Sequence, residues 1–214
     1  MGMRPQTGGR MLLCGEDVSR KTPGEIRRRG VSFIPEDRMT TGVDGKASVA
    51  ENLLVGKQRR PEFSLLGGLH LRRHRVKQYA AEQAKKFDIR MSGVDDPVSS
   101  LSGGNMQKVV IAREFSFDSP VLVVSQPTRG VDIGAIEFIH EHIMQKRNEG
   151  CAILLISADL DELFRLSDRL VTLYEGRITG SFRTEEITRE EIGYYMTGGV
   201  KDEESAAKEE LRHG

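Results

Sequence analysis

Leu101-Ser102-Gly103-Gly104-Asn105-Met106-Gln107-Lys108 and Val121-Leu122-Val123-Val124-Ser125-Gln126-Pro127-Thr128 are the two stretches from which the fold of this chain can be read. The first is a turn of small residues that opens an amphipathic helix, marked by Met106, Val109, Val110, Arg113 and Phe117. A Ser-Gly-Gly turn at a helix start lets backbone N–H groups approach an anion. The helix dipole favours negative charge there, and the Ser102 hydroxyl adds a donor. A plain serine cap with loop glycines would show the same three residues. The longer run, followed by an apolar strand, favours the anion-facing reading. That strand, 121–124, is a continuous apolar run of the kind buried on both faces of a sheet.

Working outward, 10–17 reads as a short strand with a glycine turn. Thr22-Pro23-Gly24-Glu25 has the form of a capping box with proline in the first helical turn, and the helix it opens ends near Gly30. Strand 31–34 stops at Pro35, and 42–46 is a loop. Ser48-Val49-Ala50-Glu51 opens a second short helix, 61–68 is irregular, and 71–87 has helical spacing. Segment 93–100 is a loop. Ile136, Ile139, Ile143 and Met144 mark a long helix closed by Asn148 and Gly150. Segment 152–156 reads as another buried strand and 159–166 as a short acidic helix. Glu175-Gly176 joins two strands in a hairpin. Strands alternating with helices predict an α/β fold with a parallel sheet. The stretch 48–112 predicts a mostly helical block, and 170–182 a small antiparallel element. Residues 201–214 are charged and poor in apolar residues, so that tail is expected to be disordered.

A length of 214 residues suits one large domain or two small ones, and 32 Lys and Arg balance 32 Asp and Glu. Zero net charge gives no bulk attraction for nucleic acid. Cys14 and Cys151 lack metal-ligand spacing and are expected to be buried thiols in a reducing cytoplasm. No apolar run is long enough to span a membrane, and the polar start of the chain does not read as a signal peptide. His140 and His142, one residue apart on a helix, read as surface positions, not as a metal pair. The basic run around His70, Arg72 and His74 reads as a solvated helix start.

The run 101–108 resembles the signature motif of ABC-transporter ATPases. Gln126-Pro127-Thr128-Arg129-Gly130-Val131-Asp132 resembles the end of their Walker B strand and the D-loop that follows. Pro35-Glu36-Asp37-Arg38, with Ser48-Val49-Ala50-Glu51-Asn52-Leu53, resembles the Q-loop region of the simple-sugar and nucleoside importer branch, in the form usual for its second nucleotide-binding domain. The resemblance runs from about Gly8 to Gly199. It implies a partial P-loop NTPase core over 1–200, with 48–112 as the helical subdomain that meets membrane-spanning subunits. In such ATPases each ATP lies between the Walker A loop of one domain and the signature motif of another. Leu101, Ser102, Gly103, Gly104, Asn105 and Gln107 would then face an ATP held by a partner domain. Glu36 would stand at the Q-loop position and Asp132 at the seam between domains. The resemblance further implies Mg²⁺ with the ATP, permease subunits, an indirect link to a solute-binding protein, and a place on the inner face of the plasma membrane.

The departures from the family pattern are as informative. The 214 residues contain no G-x-x-x-x-G-K-[ST]. They begin where the family would have just completed its Walker A helix. Ser125 stands where the family has a Mg²⁺-supporting aspartate, and Gln126 where it has the glutamate that polarises water. Ala158 stands at the switch histidine and Glu36 at the Q-loop glutamine. A serine hydroxyl brings no charge to a cation, and a glutamine is no general base. No metal ligand set is expected on this chain, and alone it is expected not to hydrolyse ATP. Without the strand that precedes Walker A in this fold, the isolated chain is also expected to be marginally stable. Two rival readings are a non-catalytic regulatory module and a soluble ABC protein of translation or DNA repair. The neutral charge and the importer-like segment 35–38 count against the latter.

Overall fold

In the computed structural model of the chain, Arg4 and residues 6–199 are described. The tail expected over 201–214 lies outside the described residues. The described residues divide into two compact units that part between Ile156 and Ser157, each with its own apolar cluster.

The first unit opens with an antiparallel hairpin, β1 (Leu12–Leu13) and β2 (Glu16–Asp17). Its turn residues, Cys14 and Gly15, have φ of 49° and 85°, the two positive values of a type I′ turn. At the tip of that turn Cys14 is exposed, which corrects the expectation of a buried thiol. The hairpin replaces the single strand expected over 10–17. Helix α1 (Pro23–Arg28) starts on the predicted capping box. The Thr22 hydroxyl accepts the Glu25 N–H, and the Glu25 carboxylate accepts the Thr22 N–H at 2.9 Å.

Strands β3 (Val31–Ile34), β6 (Val121–Ser125) and β7 (Ala152–Ile156) form a parallel sheet in the order β3-β6-β7. Val31 lies opposite Val121, and Ser125 opposite Ile156. The connection from β3 to β6 carries the helical block. It comprises α2 (Val49–Leu54), a small hairpin β4 (Ser64–Leu65) and β5 (His70–Leu71), then α3 (Arg73–Lys86) and α4 (Gly103–Phe115). The hairpin's first strand falls within 61–68, a segment expected to be irregular. Helix α5 (Ile133–Asn148) links β6 to β7.

The sheet is not buried evenly. Leu122 and Val124 are inaccessible on one face of β6, while Val121 and Val123 are half-buried against Val18, Ile26 and Val31. On β7, the end strand of the three, Leu154 and Ile156 are 57% and 48% exposed. Of the two strands expected to be fully buried, β6 is buried on one face and half-buried on the other, and β7 is half-buried on one face and exposed on the other, because packing covers one side of the sheet more completely. The two histidines of α5 also depart from the surface reading. His140 is buried, and the His142 ring lies 4.0 Å from that of Phe138 and 5.2 Å from that of Phe87. An imidazole presents flat apolar faces, which suits it to an aromatic cluster.

Helix α4 is buried on all sides from Gln107 to Phe115, including the side that carries Glu114. That carboxylate is almost inaccessible. It accepts two contacts from Arg27 Nη2 at 2.9 and 2.8 Å, one from Arg113 Nε at 2.9 Å and one from the Phe33 N–H at 3.3 Å. Ser32 Oγ donates to the Glu114 carbonyl at 3.1 Å. A single ionised group thus joins α1, β3 and α4.

The second unit comprises α6 (Leu160–Leu166), β8 (Arg169–Tyr174), β9 (Arg177–Arg183) and α7 (Arg189–Met196). Glu175 and Gly176, with φ of 46° and 77°, close the predicted β8–β9 hairpin. Leu170, Ile187, Ile192 and Tyr195 form its core. No helix among the described residues is long and apolar enough to cross a membrane.

Removing one partner of a fully paired buried charge costs roughly 3–5 kcal/mol. Glu114→Gln keeps the shape and removes the charge that both arginines require. It should lower the unfolding free energy in urea by about 3 kcal/mol. A loss below about 0.5 kcal/mol, the scale of an ordinary surface substitution, would show that the cluster does not hold the unit together.

Candidate functional site

The N-terminus of α4 is the exposed end of an otherwise buried helix. Ser102 is its cap, and its hydroxyl accepts the Asn105 N–H at 3.4 Å and the Asn105 side-chain amide at 2.9 Å. The Asn105 side-chain oxygen in turn accepts the Arg90 N–H at 2.8 Å. Ser102 is exposed, Gly103 and Asn105 half-exposed, and Leu101 and Gly104 buried. The first amides of the helix, at Gly103 and Gly104, have the positive end of the helix dipole behind them.

Both glycines have ordinary helical backbones, so left-handed φ does not explain them. Their neighbours do. A Cβ on Gly103 would stand 2.7 Å from Arg38 Nη2, and one on Gly104 would stand 2.9 Å from Asp132 Oδ2 and 3.3 Å from the Ala135 Cβ. Each glycine makes room for a charged side chain from another motif.

Arg38 arrives there because the chain after β3 makes one wide helical turn, Arg38–Gly42. The Val43 N–H closes that turn on the Arg38 carbonyl at 2.8 Å. Asp37 caps it, accepting the Met39 N–H at 2.9 Å and the Thr40 hydroxyl at 2.7 Å. The Thr40 side-chain and backbone donors, with the Met39 amide, hold the Asp37 carboxyl below its ordinary range. From this turn the Arg38 guanidinium donates to the Arg129 carbonyl at 2.9 Å and the Gly130 carbonyl at 3.2 Å. Arg129 reaches back to form an ion pair with Glu36. The segment resembling the Q-loop, the D-loop and the signature turn therefore meet at one arginine. Wide turns of this kind occur disproportionately at functional sites.

Asp132 caps α5, its carboxylate accepting the Ala135 N–H at 2.9 Å. Gln107 is buried, and its amide donates to the Pro127 carbonyl at 2.9 Å. It joins α4 to the segment after β6. Ser125 ends β6, half-buried. Gln126 follows with φ of 49°, its N–H donating to the Ile156 carbonyl at 2.8 Å. A non-glycine residue in the left-handed region at the end of a central strand is a strained position of the sort found at functional sites. Ala158 belongs to the second unit, just before the Asp159 cap of α6. Among the described residues no group of three or more His, Cys, Asp or Glu could hold a metal ion. Ser125 and Gln126 supply no carboxylate at the end of β6, so the residues present there do not fit Mg²⁺.

The resemblance gave Ser102, Gly103 and Gly104 to the ATP of a partner domain and Asp132 to the seam between domains; within this chain Asp132 lies beside Gly104. Sequence reasoning did not single out Arg38 and Arg129 as the brace. The one available hint was the Asp37-x-x-Thr40 spacing, the mark of a capped turn.

A family described as ABC transporter matches residues 1–129. The chain belongs to this family. Among its relatives, it is 39% identical over 198 residues to the Nucleoside import ATP-binding protein NupA of Lactococcus lactis, covering 92% of this chain and 39% of that protein. It is 35% identical to the Guanosine import ATP-binding protein NupO of Bacillus subtilis, covering 96% and 40%. The Ribose import ATP-binding protein RbsA 2 of Rubrobacter xylanophilus is 38% identical, covering 98% and 39%. The chain thus spans about two fifths of the length of these relatives. In fold it is similar to a nucleotide-free ATP-binding cassette from an ABC transporter, with a TM-score of 0.68, 24% identity and coverage of 92% and 76%. A dimeric post-hydrolysis cassette bound to ADP and Pi also has a TM-score of 0.68, at 19% identity and coverage of 83% and 74%. The fold is α/β, that of the ABC ATPase cassettes.

The packing of Arg38 against Gly103 gives a test with a change of sign. Alanine is favoured over glycine in a helix by up to about 1 kcal/mol. Gly103→Ala should destabilise the chain or leave it unchanged, since it displaces Arg38 from both carbonyls. In an Arg38→Ala background the same substitution should stabilise. Equal effects in the two backgrounds, measured by thermal unfolding, would mean that the two groups are not coupled.

Proposed function

We propose that this chain is part of the ATP-binding component of an importer for nucleosides or simple sugars, and that it lends its signature turn to an ATP held by a partner nucleotide-binding domain. The observation that carries the reading is the exposed N-terminus of α4, where the Ser102 hydroxyl and two amides stand beside Arg38, while the end of β6 carries Ser125 and Gln126 in place of acids. The identities to nucleoside, guanosine and ribose import proteins support the solute class.

In this reading the chain binds and orients the nucleotide and does not move protons. The Ser102 hydroxyl and the Gly103 and Gly104 amides face the terminal phosphate, with the helix dipole behind them. Arg38 sets the distance between the signature turn and the D-loop, and Asp132 fixes the start of α5 at the seam. Leu101, Asn105 and Gln107 hold the turn from behind. Gln126 can orient a water but cannot take its proton. Mg²⁺ and the Walker A contacts belong to the partner domain. The permease subunits meet the helical block on the inner face of the membrane, and contact with the solute-binding protein is indirect.

The purified chain with Mg²⁺ and ATP should give no hydrolysis above background. Adding a nucleotide-binding domain with an intact Walker A, taken from an import relative, should produce hydrolysis that depends on this chain. Ser102→Arg should lower that rate by about 100-fold, the scale of losing a phosphate-facing donor. Hydrolysis by the chain alone, or a stimulated rate indifferent to Ser102→Arg, would sink the proposal.

A further inference from the structure

At the other end of α4, about 20 Å from Ser102 by helix rise, lies a recess of about 290 Å³ lined by side chains of the helical block and α5. Its floor is Lys57, which is 1% exposed. The Lys57 ammonium donates to the Tyr79 and Ser116 hydroxyls and lies over the rings of Tyr79 and Phe117 at 4.7 and 4.8 Å. Among the described residues no carboxylate forms a salt bridge with it. Buried lysines are ordinarily paired, because an unpaired charge in a protein interior costs several kcal/mol. Arg60, Lys86 and Lys146 also line the recess, against Glu62 and Asp118; Arg60 pairs with Glu62 at 3.8 Å and Lys146 with Glu149 at 2.8 Å. Deep in the same region Gln83 Oε1 is buried without a hydrogen-bond partner.

We propose that this recess binds a small phosphate-class oxyanion, held by the third N–H of Lys57, the Tyr79 hydroxyl, the Arg60 guanidinium and the Gln83 amide. A tetrahedral oxyanion accepts from several directions at once, which matches donors converging from α3 and from the segment after α2. The amide of Gln83 can turn to present its NH₂, which removes the unsatisfied oxygen from the interior. The volume lies at the lower end of ligand pockets and suits a compact anion, not a nucleotide. Burial, with the neighbouring Arg60 charge, lowers the Lys57 pKa to about 8, so the ammonium is still charged at pH 7 and ready for a counter-ion. The depth of Lys57 favours a free anion over a lipid headgroup. The competing role for Lys57 is that of a cation at the C-terminus of α4 with no ligand, through the Ser116 hydroxyl that donates to the Arg113 carbonyl.

Calorimetric titration of the full chain at pH 7 with inorganic phosphate separates the two, with sodium chloride at matched ionic strength as control. The expected result is saturable binding with a Kd of about 1 mM or tighter, weakened at least tenfold in Lys57→Met. That variant keeps the length of the side chain, and its melting temperature should be unchanged or higher. If Lys57→Met fails to fold, Arg60→Ala and Gln83→Leu carry the same expectation of weakened binding. Absence of saturable heat, or heat unchanged in the folded variants, would leave Lys57 as a capping cation and overturn the proposal. Binding only to vesicles containing phosphatidylglycerol, with none to phosphate, would overturn it as well.

Discussion

The carboxylate of Glu114 is the one charge in the first unit that everything near it must answer. Taking it out of water is unfavourable by several kcal/mol unless its oxygens are fully paired. Two guanidinium groups and the outward N–H of Phe33 on β3 meet that demand. Because these partners sit on α1, β3 and α4, satisfying one ion fixes three elements against each other. The ion also closes part of an edge: β3 is an end strand of the sheet, and its Phe33 N–H would otherwise be an open donor.

With its C-terminal half fixed, α4 acts as a buried rod whose other end is the only exposed part. The position of the signature turn is then set by what stops that end from shifting, and here the glycines matter. Gly103 accepts the approach of Arg38 and Gly104 that of Asp132. Small residues at a helix-opening turn are commonly explained by backbone flexibility. In this chain they are explained by two charged side chains that occupy the space a Cβ would need. Arg38 then spans to the Arg129 and Gly130 carbonyls, so a movement of that loop must carry the guanidinium away from Gly103 or break those bonds.

The capping boxes at Thr22 and Ser48, the hairpin at Glu175-Gly176 and the parallel strands could all be read from the sequence, because each is a local pattern with a local cause. The same three-residue spacing at Thr188 and Glu191 marks α7 and could have been read in the same way. What escaped was non-local. Glu114 follows Arg113 on a helix, and helical charges are expected to face solvent, yet its partner Arg27 lies 87 residues away in the chain. The Cys14 turn escaped because cysteine is not a residue that announces positive φ. The full burial expected of β7 failed because an apolar run records hydrophobicity and not which faces are covered. At the site, the residue types in the signature run were legible, whereas the brace between Arg38 and the D-loop depended on a wide turn that periodicity does not report.

The proposed role places the chemistry of the nucleotide on one polypeptide and the recognition of its terminal phosphate on another. A photoreactive ATP analogue, with its reactive group on the terminal phosphate, addresses this directly through peptide mapping of the labelled chain. Labelling within 101–108 that requires a partner domain with an intact Walker A is the expected result. Labelling of the chain by itself, or labelling centred on Ser125 and Gln126 in place of the signature turn, would contradict it.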